Sequence, residues 1–405
     1  MRFSNIKSKF PIFKQKIKGK PLIYLDSANS SQKPKTVIDE ISRFYETEFS
    51  NVGRSVHTLA VKATNKFEET RDIVKSYINA KHREEIIFTK GATEAINLVA
   101  STYGEQFIEP DDEILVTELE HHSNYVPWHY LRKKKGAVIK FASINDNGEI
   151  DVDEFKKNIT AKTKMIAFTH ISNVTGTIMP VKKIIDLAKS KNIPVLIDGT
   201  QGAPHSVLDV QDLGCDFYAI SCHKMYGPNG LGILYAKKKW VDKLPPYQGG
   251  GGMISEVRKD EISYADSPTK FEAGTMQTAE VVAFAKSIKF IQDLGIKNIE
   301  QHESKILEYG LEKLRKDNSV SILGNPKNRA SIMSFTIKGI HPHDIATILD
   351  DDGVAIRAGH HCCQILHDKL GIPASARASI GVYNSKEDID ILCESIIKCK
   401  KVFQI

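Results

Sequence analysis

The chain has 405 residues, of which 41% are hydrophobic and 26% are charged, so it can form a globular protein of two or three domains with a substantial core. Its formal net charge is +6, but the lysines are scattered and no basic stripe with interleaved aromatic residues occurs, which argues against nucleic-acid binding. There is no apolar stretch of 18 residues and no N-terminal apolar run long enough for a signal peptide, so we expect no membrane association.

The cysteines bear on the expected location of the protein. Six of them, at positions 215, 222, 362, 363, 393 and 399, lack the density and spacing of a disulfide framework. Free thiols in a chain of this size are typical of a reducing compartment, and we therefore expect a cytoplasmic protein.

The N-terminal part of the chain contains a short predicted strand and two predicted helices. Residues 21–25 read as a strand that leads into a turn at 26–29. Apolar residues at helical spacing predict helices over 36–49 and 58–78, separated by a loop that contains Gly53-Arg54.

Strand and helix patterns then alternate between residues 86 and 236. Helices are predicted from 92 to 103 and from 180 to 191, and the strands are predicted at 86–88, 114–117, 138–141, 164–169, 195–198, 217–220 and 230–235. This alternation predicts an α/β fold with a largely parallel sheet that carries helices on both faces. Such folds bind ligands beyond the carboxyl ends of the strands.

The remaining residues read as helices and strands in a different arrangement. Helices are predicted at 281–294 and 299–314, and strands at 319–323, 331–336 and 354–357. This pattern favours a smaller α+β unit after the parallel sheet.

Two neighbouring strands end in residues that suit one cofactor. The strand at 217–220 leads into Lys224 and a glycine turn, and the strand at 195–198 ends in Asp198. A lone lysine at such a place is usually solvated, but among apolar walls its amine is more easily neutral and nucleophilic. A lysine and an aspartate after successive strands suit pyridoxal 5'-phosphate (PLP), because the lysine forms a Schiff base and the aspartate keeps the pyridine nitrogen protonated.

A third strand end offers a place for a phosphate group. The strand at 86–88 leads into Gly91-Ala92-Thr93 at the start of a helix. Backbone N–H groups at a helix N-terminus bind phosphate, although Thr93 could instead be a simple helix cap. With Asp198 and Lys224 downstream, we favour phosphate binding.

The run Gly359-His-His-Cys362-Cys363 is the second place where the sequence suggests chemistry. Adjacent cysteines can be small core residues, and His-His-Cys-Cys could also bind zinc. Structural zinc sites use spaced pairs of ligands, whereas four consecutive residues rarely surround one tetrahedral ion. We therefore expect no metal here.

Three motifs together resemble a known family. Asp198-Gly-Thr-Gln201, Ser221-Cys-His223-Lys224 and Gly359-His-His-Cys362 are similar to the cysteine desulfurases, the NifS-like branch of the class V aminotransferases. The runs 226–232 and 357–362 resemble the second group of that branch, the SufS and selenocysteine-lyase type, and the similarity covers about residues 25–383.

The resemblance implies a fold and a domain organisation. The expected fold is the PLP-dependent transferase fold type I, with a mostly parallel seven-stranded sheet in a large domain at residues 25–290. The small α+β domain would consist of residues 1–24 and 291–405 and would carry the active-site cysteine.

The resemblance also assigns roles to single residues. Lys224 would hold PLP as an aldimine, Cys362 would be the nucleophile, and His121 would stack on the pyridine ring. The other expected cofactor-binding residues are Ala92, Thr93, Asn173, Asp198, Gln201, Ser221, His223 and, from the neighbouring subunit, Thr275. The expected substrate-binding residues are Ala28, Asn173, Arg357 and Arg377. Of these, Arg377 suits the α-carboxylate because a guanidinium group offers two parallel N–H donors.

The implied activity is that of a cysteine desulfurase. L-cysteine would give L-alanine and a persulfide on Cys362, and a SufE- or SufU-like sulfur-acceptor protein would take the sulfur for iron–sulfur cluster assembly. Because Gly274-Thr275 matches a family motif that reaches the partner's cofactor phosphate, a homodimer with a shared active site is expected.

Four alternatives stay open. A selenocysteine lyase or another class V PLP aminotransferase would use nearly the same site. A PLP-fold scaffold that only binds a partner would not need Lys224, Asp198 and Cys362 together. A Cys-His hydrolase would leave Lys224 and Asp198 without a role.

Two positions depart from the family pattern. Gly53-Arg54 stands where relatives often have His-Arg, which removes a polar group near the substrate entrance. Cys363 occupies a position that is often alanine, and its thiol either competes for sulfur or is buried and silent. His122 reads as an ordinary surface histidine in a loop.

Overall fold

The computed structural model describes residues 3–53 and 55–405. In these ranges the α-helices are α1 (Lys35–Thr47), α2 (Thr58–Tyr77), α3 (Ala92–Phe107), α4 (Val126–Lys135), α5 (Val152–Lys157), α6 (Val181–Lys189), α7 (Gly202–His205), α8 (Val210–Leu213), α9 (Lys238–Lys243), α10 (Thr278–Leu294), α11 (Ile296–Arg315), α12 (Pro342–Asp351), α13 (Gln364–Lys369) and α14 (Lys386–Val402). Short 3-10 helices occur at Ile6–Lys9, Pro11–Lys14, Arg83–Glu85, His122–Asn124, Cys222–Lys224 and Thr269–Phe271.

The strands fall into one large sheet, one smaller sheet and three two-stranded pairs. In chain order they are β1 (Lys16–Ile17), β2 (Lys20–Pro21), β3 (Ile23–Tyr24), β4 (Ile86–Thr89), β5 (Glu113–Thr117), β6 (Val138–Ala142), β7 (Thr163–Thr169), β8 (Val195–Asp198), β9 (Phe217–Ser221), β10 (Gly232–Ala236), β11 (Ile254–Val257), β12 (Ile262–Tyr264), β13 (Val320–Ile322), β14 (Ile332–Ile337), β15 (Val354–Ala355), β16 (Arg357–Gly359) and β17 (Ser375–Ser379).

The large sheet has seven strands in the order β4-β10-β9-β8-β7-β5-β6. The pairs from β9 to β6 are parallel, whereas β10 runs antiparallel to both its neighbours, β9 and β4. The prediction of a mostly parallel seven-stranded sheet is therefore confirmed. Because β4 runs in the same direction as β8 and β9, the carboxyl ends of all three strands lie at one edge of the sheet.

Successive residues of these strands enter two different hydrophobic cores. Ile166 and Phe168 of β7 belong to one core, while Met165 and Ala167 of the same strand belong to the other. Side chains of a strand alternate between the faces of its sheet, so a strand buried on both faces reads as a continuous apolar run. Helices therefore cover both faces of this sheet, as the sequence predicts.

A close backbone contact brings β10 against the start of α3. A Cβ atom on Gly232 would lie 2.4 Å from the Cα atom of Gly91, so no larger residue fits there. Glycine at this position lets the return strand lie directly beside the turn that opens α3. The carboxyl end of β4 is thereby fixed near that of β9.

The smaller sheet has the antiparallel order β13-β14-β17-β16 and a hydrophobic core of its own. The sequence predicts one strand at 354–357, but the structure divides this segment between two partners. Val354–Ala355 pairs in parallel with Ile23–Tyr24, whereas Arg357–Gly359 pairs with β17. The sequence shows one continuous strand pattern here, because the division into β15 and β16 depends on pairing with residues that are distant in the chain.

The N-terminal residues contact both parts of the molecule. Ile6 and Phe10 pack into a core of the large sheet, and Ile23 and Leu25 pack into the core of the smaller sheet. The domain boundaries given above stay a prediction. In the part of the chain that the structure describes, no helix combines the length and apolar character needed to cross a membrane.

Candidate active site

One pocket lies beyond the carboxyl ends of β4, β8 and β9. It has a volume of about 220 Å³ and is open to solvent. The structure brings thirteen of the predicted site residues together around it: Ala28, Ala92, Thr93, His121, Asn173, Asp198, Gln201, Ser221, His223, Lys224, Arg357, Cys362 and Arg377. Thr275 does not line this pocket and is exposed instead.

Lys224 enters the pocket from the turn that follows β9. The turn ends at Tyr226, which has a left-handed φ of 61° and a buried side chain. Burial, together with the nearby guanidinium group of Arg377, lowers the pKa of Lys224 to about 8. A substantial fraction of this amine is therefore neutral near physiological pH, which is the form that attacks a carbonyl carbon.

Asp198 and Gln201 lie at the end of β8. The Asp198 carboxylate is 4% exposed and accepts a hydrogen bond of 3.0 Å from the backbone N–H of Thr200. Gln201 donates through Nε2 to the carbonyl oxygen of Ala28 at 2.7 Å. Its Oε1 is buried and has no hydrogen-bond partner among the described residues, so one polar atom is left for a ligand in the pocket.

The first turn of α3 forms another wall of the pocket with polar groups. Ser221 Oγ accepts a hydrogen bond of 3.0 Å from the Ala92 N–H, and Thr93 Oγ1 lies 2.8 Å from Ser123 Oγ. The start of a helix carries a partial positive charge and N–H groups without intrahelical partners. This corner of the pocket therefore suits an anion.

His223 borders the same corner, and its Nδ1 lies 3.1 Å from Ser30 Oγ. Burial and the nearby amine of Lys224 lower the pKa of His223 to about 4, so the imidazole is neutral at pH 7. A helix end that suits an anion, a buried carboxylate at a neighbouring strand end and a lysine of lowered pKa together fit PLP.

His121 lies beside the amine of Lys224 and is neutral. Burial and the nearby Lys224 lower the pKa of His121 to about 3. Its Nδ1 accepts a hydrogen bond of 3.1 Å from the Ser123 N–H, so the ring proton is on Nε2. The fixed tautomer gives a proton donor at a defined atom.

Arg377 is buried, with 1% of its surface exposed. Its guanidinium donates to the Asn173 carbonyl oxygen at 2.9 Å and to Asp26 Oδ1 at 3.2 Å. The Nε atom is buried and is without a hydrogen-bond partner in the described part of the chain. The side chain is thus held in place while one donor remains for an anion.

Cys362 lies on a turn with unusual backbone geometry. Both His361 and Cys362 adopt left-handed conformations, with φ values of 52° and 57°. Non-glycine residues pay a steric cost in this region, and such residues concentrate at functional sites. Arg357 lies next to this cysteine, with one guanidinium nitrogen 3.9 Å from the Cys362 Sγ atom.

Asn173 contacts this turn as well as the pocket. Its Nδ2 donates to the His361 carbonyl oxygen at 2.9 Å, and its Oδ1 accepts from the Cys363 thiol at 2.9 Å. The sequence resemblance places Asn173 near the cofactor and the substrate carboxylate, and that role stays a prediction. In the structure its side-chain amide pairs with the cysteine turn.

Cys363 is fully buried, and burial raises the pKa of its thiol well above the usual range. We therefore expect iodoacetamide at pH 7.5 to alkylate Cys362 at least about 100-fold faster than Cys363, because the thiolate is the reactive form. Peptide mapping by mass spectrometry measures both sites. Protein unfolded in urea serves as the control in which both cysteines react, and equal labelling in the folded protein would contradict a silent Cys363.

Thr275 follows a segment that is anchored by a buried ion pair. Arg71 pairs with Glu272 through two hydrogen bonds of 2.8 and 2.9 Å, and Glu272 also accepts from the Phe88 N–H at 2.7 Å. Both side chains are nearly inaccessible to solvent. This buried contact fixes the position of Glu272, and Thr275 lies three residues further along the chain, on the surface of the molecule.

Removal of this anchor is expected to destabilise the fold. Glu272→Gln leaves the Arg71 charge without its main partner, so the free energy of unfolding should fall by about 3 kcal/mol. Urea denaturation followed by circular dichroism measures this change. The matched control is Glu312→Gln in the exposed pair with Lys316, which should have no measurable effect. A loss no larger than that of the control would contradict a stabilising role of the buried pair.

The departure at Gly53-Arg54 is described only in part. Gly53 donates its N–H to Thr64 Oγ1 at 3.1 Å, and Arg54 lies outside the described residues. The predicted effect of Gly53 on the substrate entrance stays a prediction.

The structure adds pocket residues that the sequence did not indicate. Asn29 accepts from Arg357 and Ser123 holds the His121 ring, while Asp26 lies behind the pocket lining and pairs with Arg377. The others that line the pocket are Thr169, Ile171, Thr200 and His361. The Asp26-Ser-Ala-Asn29 turn was the available signal for Asp26 and Asn29, since polar residues at a strand end often face a ligand.

Comparison with known proteins gives one consistent result. Residues 23–392 match the sequence model of the family described as "Aminotransferase class-V". The chain is 45% identical over 403 residues to a probable cysteine desulfurase of Halalkalibacterium halodurans, an alignment that covers 100% of this chain and 99% of that protein.

Two solved structures of similar chains share the whole fold. The apo structure of a cysteine desulfurase from Thermococcus onnurineus aligns with a TM-score of 0.94 and 35% identity over 99% of both chains. The structure of the cysteine desulfurase CsdA (S-sulfonic acid) from Escherichia coli aligns with a TM-score of 0.92 and 34% identity over 98% of both chains.

Proposed function

The chain belongs to the class V aminotransferase family, and we propose that within this family it is a PLP-dependent cysteine desulfurase. It has the fold of that family, PLP-dependent transferase fold type I. The observation that carries the proposal is that Lys224, Asp198, Arg377 and Cys362 line the same pocket. A transaminase would use the first three, and the cysteine at the pocket rim favours sulfur chemistry.

The residues of the pocket divide into groups for the cofactor and for the substrate. The phosphate would be held by the start of α3 together with Ser221 and His223, while Asp198 would pair with the pyridine nitrogen and Lys224 would form the covalent bond. When bound, PLP withdraws electrons from the substrate's α-carbon and so weakens the bonds to that atom.

Arg377 would orient the substrate. Its free Nε–H and its neighbouring N–H groups suit the α-carboxylate of L-cysteine, and Asp26 and Asn173 prevent the guanidinium from turning away. With the carboxylate fixed, the substrate thiol extends toward the rim where Cys362 lies.

Two groups would handle protons. Lys224, once its amine is free, lies where it can take the proton from the α-carbon, and its lowered pKa suits that task near neutral pH. His121 carries its proton on Nε2 and can donate a hydrogen bond from that atom to a developing negative charge. Both side chains are half-buried, which strengthens these interactions relative to those in bulk water.

Cys362 would perform the sulfur transfer. As a thiolate it attacks the substrate sulfur, a new S–S bond forms, and the bond between that sulfur and the substrate's β-carbon breaks. The electron pair of the broken bond stays with the carbon skeleton, which leaves as L-alanine after protonation. The Arg357 guanidinium, 3.9 Å from Sγ, supplies a counter-charge for the attacking thiolate.

The proposal includes a homodimer and a protein acceptor. Thr275 is exposed and outside the pocket of its own chain, which supports a role at the cofactor phosphate of a second subunit. A SufE- or SufU-like acceptor would take the persulfide sulfur from Cys362 toward iron–sulfur cluster assembly.

The test is the reaction itself, with the purified holoenzyme, L-cysteine and a reductant. Equimolar alanine and sulfide are the expected products, detected by amino-acid analysis and by a colorimetric sulfide assay. Alanine without sulfide, formed only when pyruvate is added as the amino acceptor, would indicate an aminotransferase. Neither product from enzyme that holds its cofactor would overturn the proposed activity.

A further inference from the structure

The turn that carries Cys362 is held by four hydrogen bonds to two segments that follow strands of the large sheet, one after β5 and one after β7. We call these contacts the clasp. Asn173 makes two of them, with the His361 carbonyl oxygen and the Cys363 thiol, as described above. His122 makes the other two: its backbone N–H donates to the Cys362 carbonyl oxygen at 2.7 Å, and its Nε2 accepts from the Gln364 N–H at 3.2 Å.

The clasp holds a conformation that the turn does not favour by itself. His361 and Cys362 are consecutive left-handed residues without the freedom of glycine. The contacts of His122 lie on the nucleophile and two residues after it, so they fix the direction in which the Cys362 side chain leaves the turn. His122 itself does not line the pocket.

We infer that His122 is a positioning residue for Cys362, and that its neutral imidazole keeps the turn closed while its protonation releases the turn. The contact with Gln364 requires Nε2 to be unprotonated, because both partners would otherwise be donors. A protonated ring would direct an N–H group at the N–H of Gln364. The clasp would then keep the two Asn173 contacts and lose the contact between His122 Nε2 and the Gln364 N–H.

The charged surroundings of His122 favour the neutral form in the closed turn. Burial and the adjacent His360 lower its pKa. The imidazole of His121, which precedes His122 in the chain, is also nearby. An ion pair between Glu118 and Lys369, 3.5 Å apart, joins the segment before His122 to the helix after the cysteine turn, and the two charges of this pair offset each other.

The sign of the pH effect follows from these contacts. In the released turn His122 is solvated and titrates near its ordinary pKa of about 6.5, whereas in the closed turn it titrates lower. The stability of the closed turn relative to the released turn is therefore greatest at pH values above about 6.5. As the pH falls below about 6.5, the ratio of released to closed turn rises by at most about tenfold per pH unit.

The inference deepens the proposed function, because a released turn would present the Cys362 persulfide to an acceptor protein. Its test does not depend on that reaction. Amide hydrogen exchange, read by mass spectrometry on peptides covering residues 361–366, is measured on the holoenzyme without substrate at pH 7.5 and pH 5.5. Protection factors relative to the unfolded chain remove the intrinsic pH dependence of exchange.

Three variants separate the outcomes. His122→Gln offers a carbonyl oxygen at the position of Nε2 and cannot titrate, so protection should be high at both pH values. His122→Leu removes the acceptor, so protection should be low at both. His360→Gln removes a neighbouring imidazole that makes no clasp contact, and its protection should still fall on acidification, because burial alone lowers the pKa of His122 in the closed turn.

We expect wild-type protection in this segment to fall severalfold between pH 7.5 and pH 5.5, while peptides from β8 keep theirs and report an intact fold. Wild-type protection that is independent of pH, or an equal fall in His122→Gln, would overturn the inference. A protection factor in His122→Leu as high as that of the wild type would overturn the inference as well. None of these results depends on whether L-cysteine is the substrate.

Discussion

Replacement of Cys362 by serine is expected to lower the release of sulfide from L-cysteine by more than about 10³-fold. The hydroxyl group is far less nucleophilic than a thiolate and cannot accept the substrate sulfur as a persulfide. The pocket and Lys224 are unchanged, so the variant should bind its cofactor as the wild type does. Sulfide and alanine assays measure the loss, and mass spectrometry after a single turnover shows whether residue 362 gains one sulfur atom.

Cys363→Ser is the matched control, since it changes the adjacent cysteine. Its hydroxyl can still donate to Asn173, so activity should stay within about threefold of the wild type. Sulfide release by Cys362→Ser at the wild-type rate would rule out Cys362 as the nucleophile. Release of selenium from selenocysteine by Cys362→Ser, with no release of sulfur from cysteine, would favour a selenocysteine lyase.

Replacement of Lys224 by alanine is expected to abolish both covalent attachment of PLP and turnover. The other pocket residues can still hold the cofactor, but no amine remains to form the bond or to take the α-proton. Borohydride reduction followed by peptide mapping shows which lysine carries the cofactor, and the alanine assay measures turnover, which should fall by more than about 10³-fold.

The matched control is Lys33, a second partly buried lysine close to the pocket. Burial lowers the pKa of Lys33 to about 8, as it does for Lys224, but the Lys33 amine donates to the His223 carbonyl oxygen at 2.9 Å. Lys33→Gln should therefore keep the covalent attachment. Attachment to Lys33 in the wild type, or retained turnover in Lys224→Ala, would contradict the assignment.

The same pKa predicts how attachment depends on pH. The neutral amine of Lys224 is the attacking form, so the rate at which apoenzyme takes up PLP covalently should rise as the pH increases through about 8 and level off above it. Stopped-flow absorbance between pH 6.5 and pH 9.5 measures this rate. A rate that falls across this range would show that another group limits attachment.

The sequence predicted the part of the site that lies at strand ends. Lys224, Asp198 and the Ala92-Thr93 turn each follow an apolar run, and the position of such runs in an alternating pattern determines which edge of the sheet they reach. Short motifs and regular periodicity are enough for that inference. The order of the seven strands was not accessible in the same way, because pairing depends on contacts between distant residues.

The contacts that join distant segments were missed for the same reason. Asp26 holds Arg377 across 351 residues, and His122 holds the Cys362 turn across 240, with no local pattern that links either pair. His122 read as a surface histidine because its neighbours in the sequence are loop residues. The choice between a reactive and a silent Cys363 required knowledge of burial, which one sequence does not provide.

The long-range pairings also matter for a chain that is still on the ribosome. The edge strand β4 pairs with β10, and the sheet that carries Lys224 can therefore close once residue 236 has emerged. Val354, which pairs with Ile23, and Arg377, which pairs with Asp26, hold the segment that leads to Ala28 and are made much later. A nascent chain thus holds Lys224 in place while the pocket is still incomplete, so a complete site forms only when translation is nearly finished.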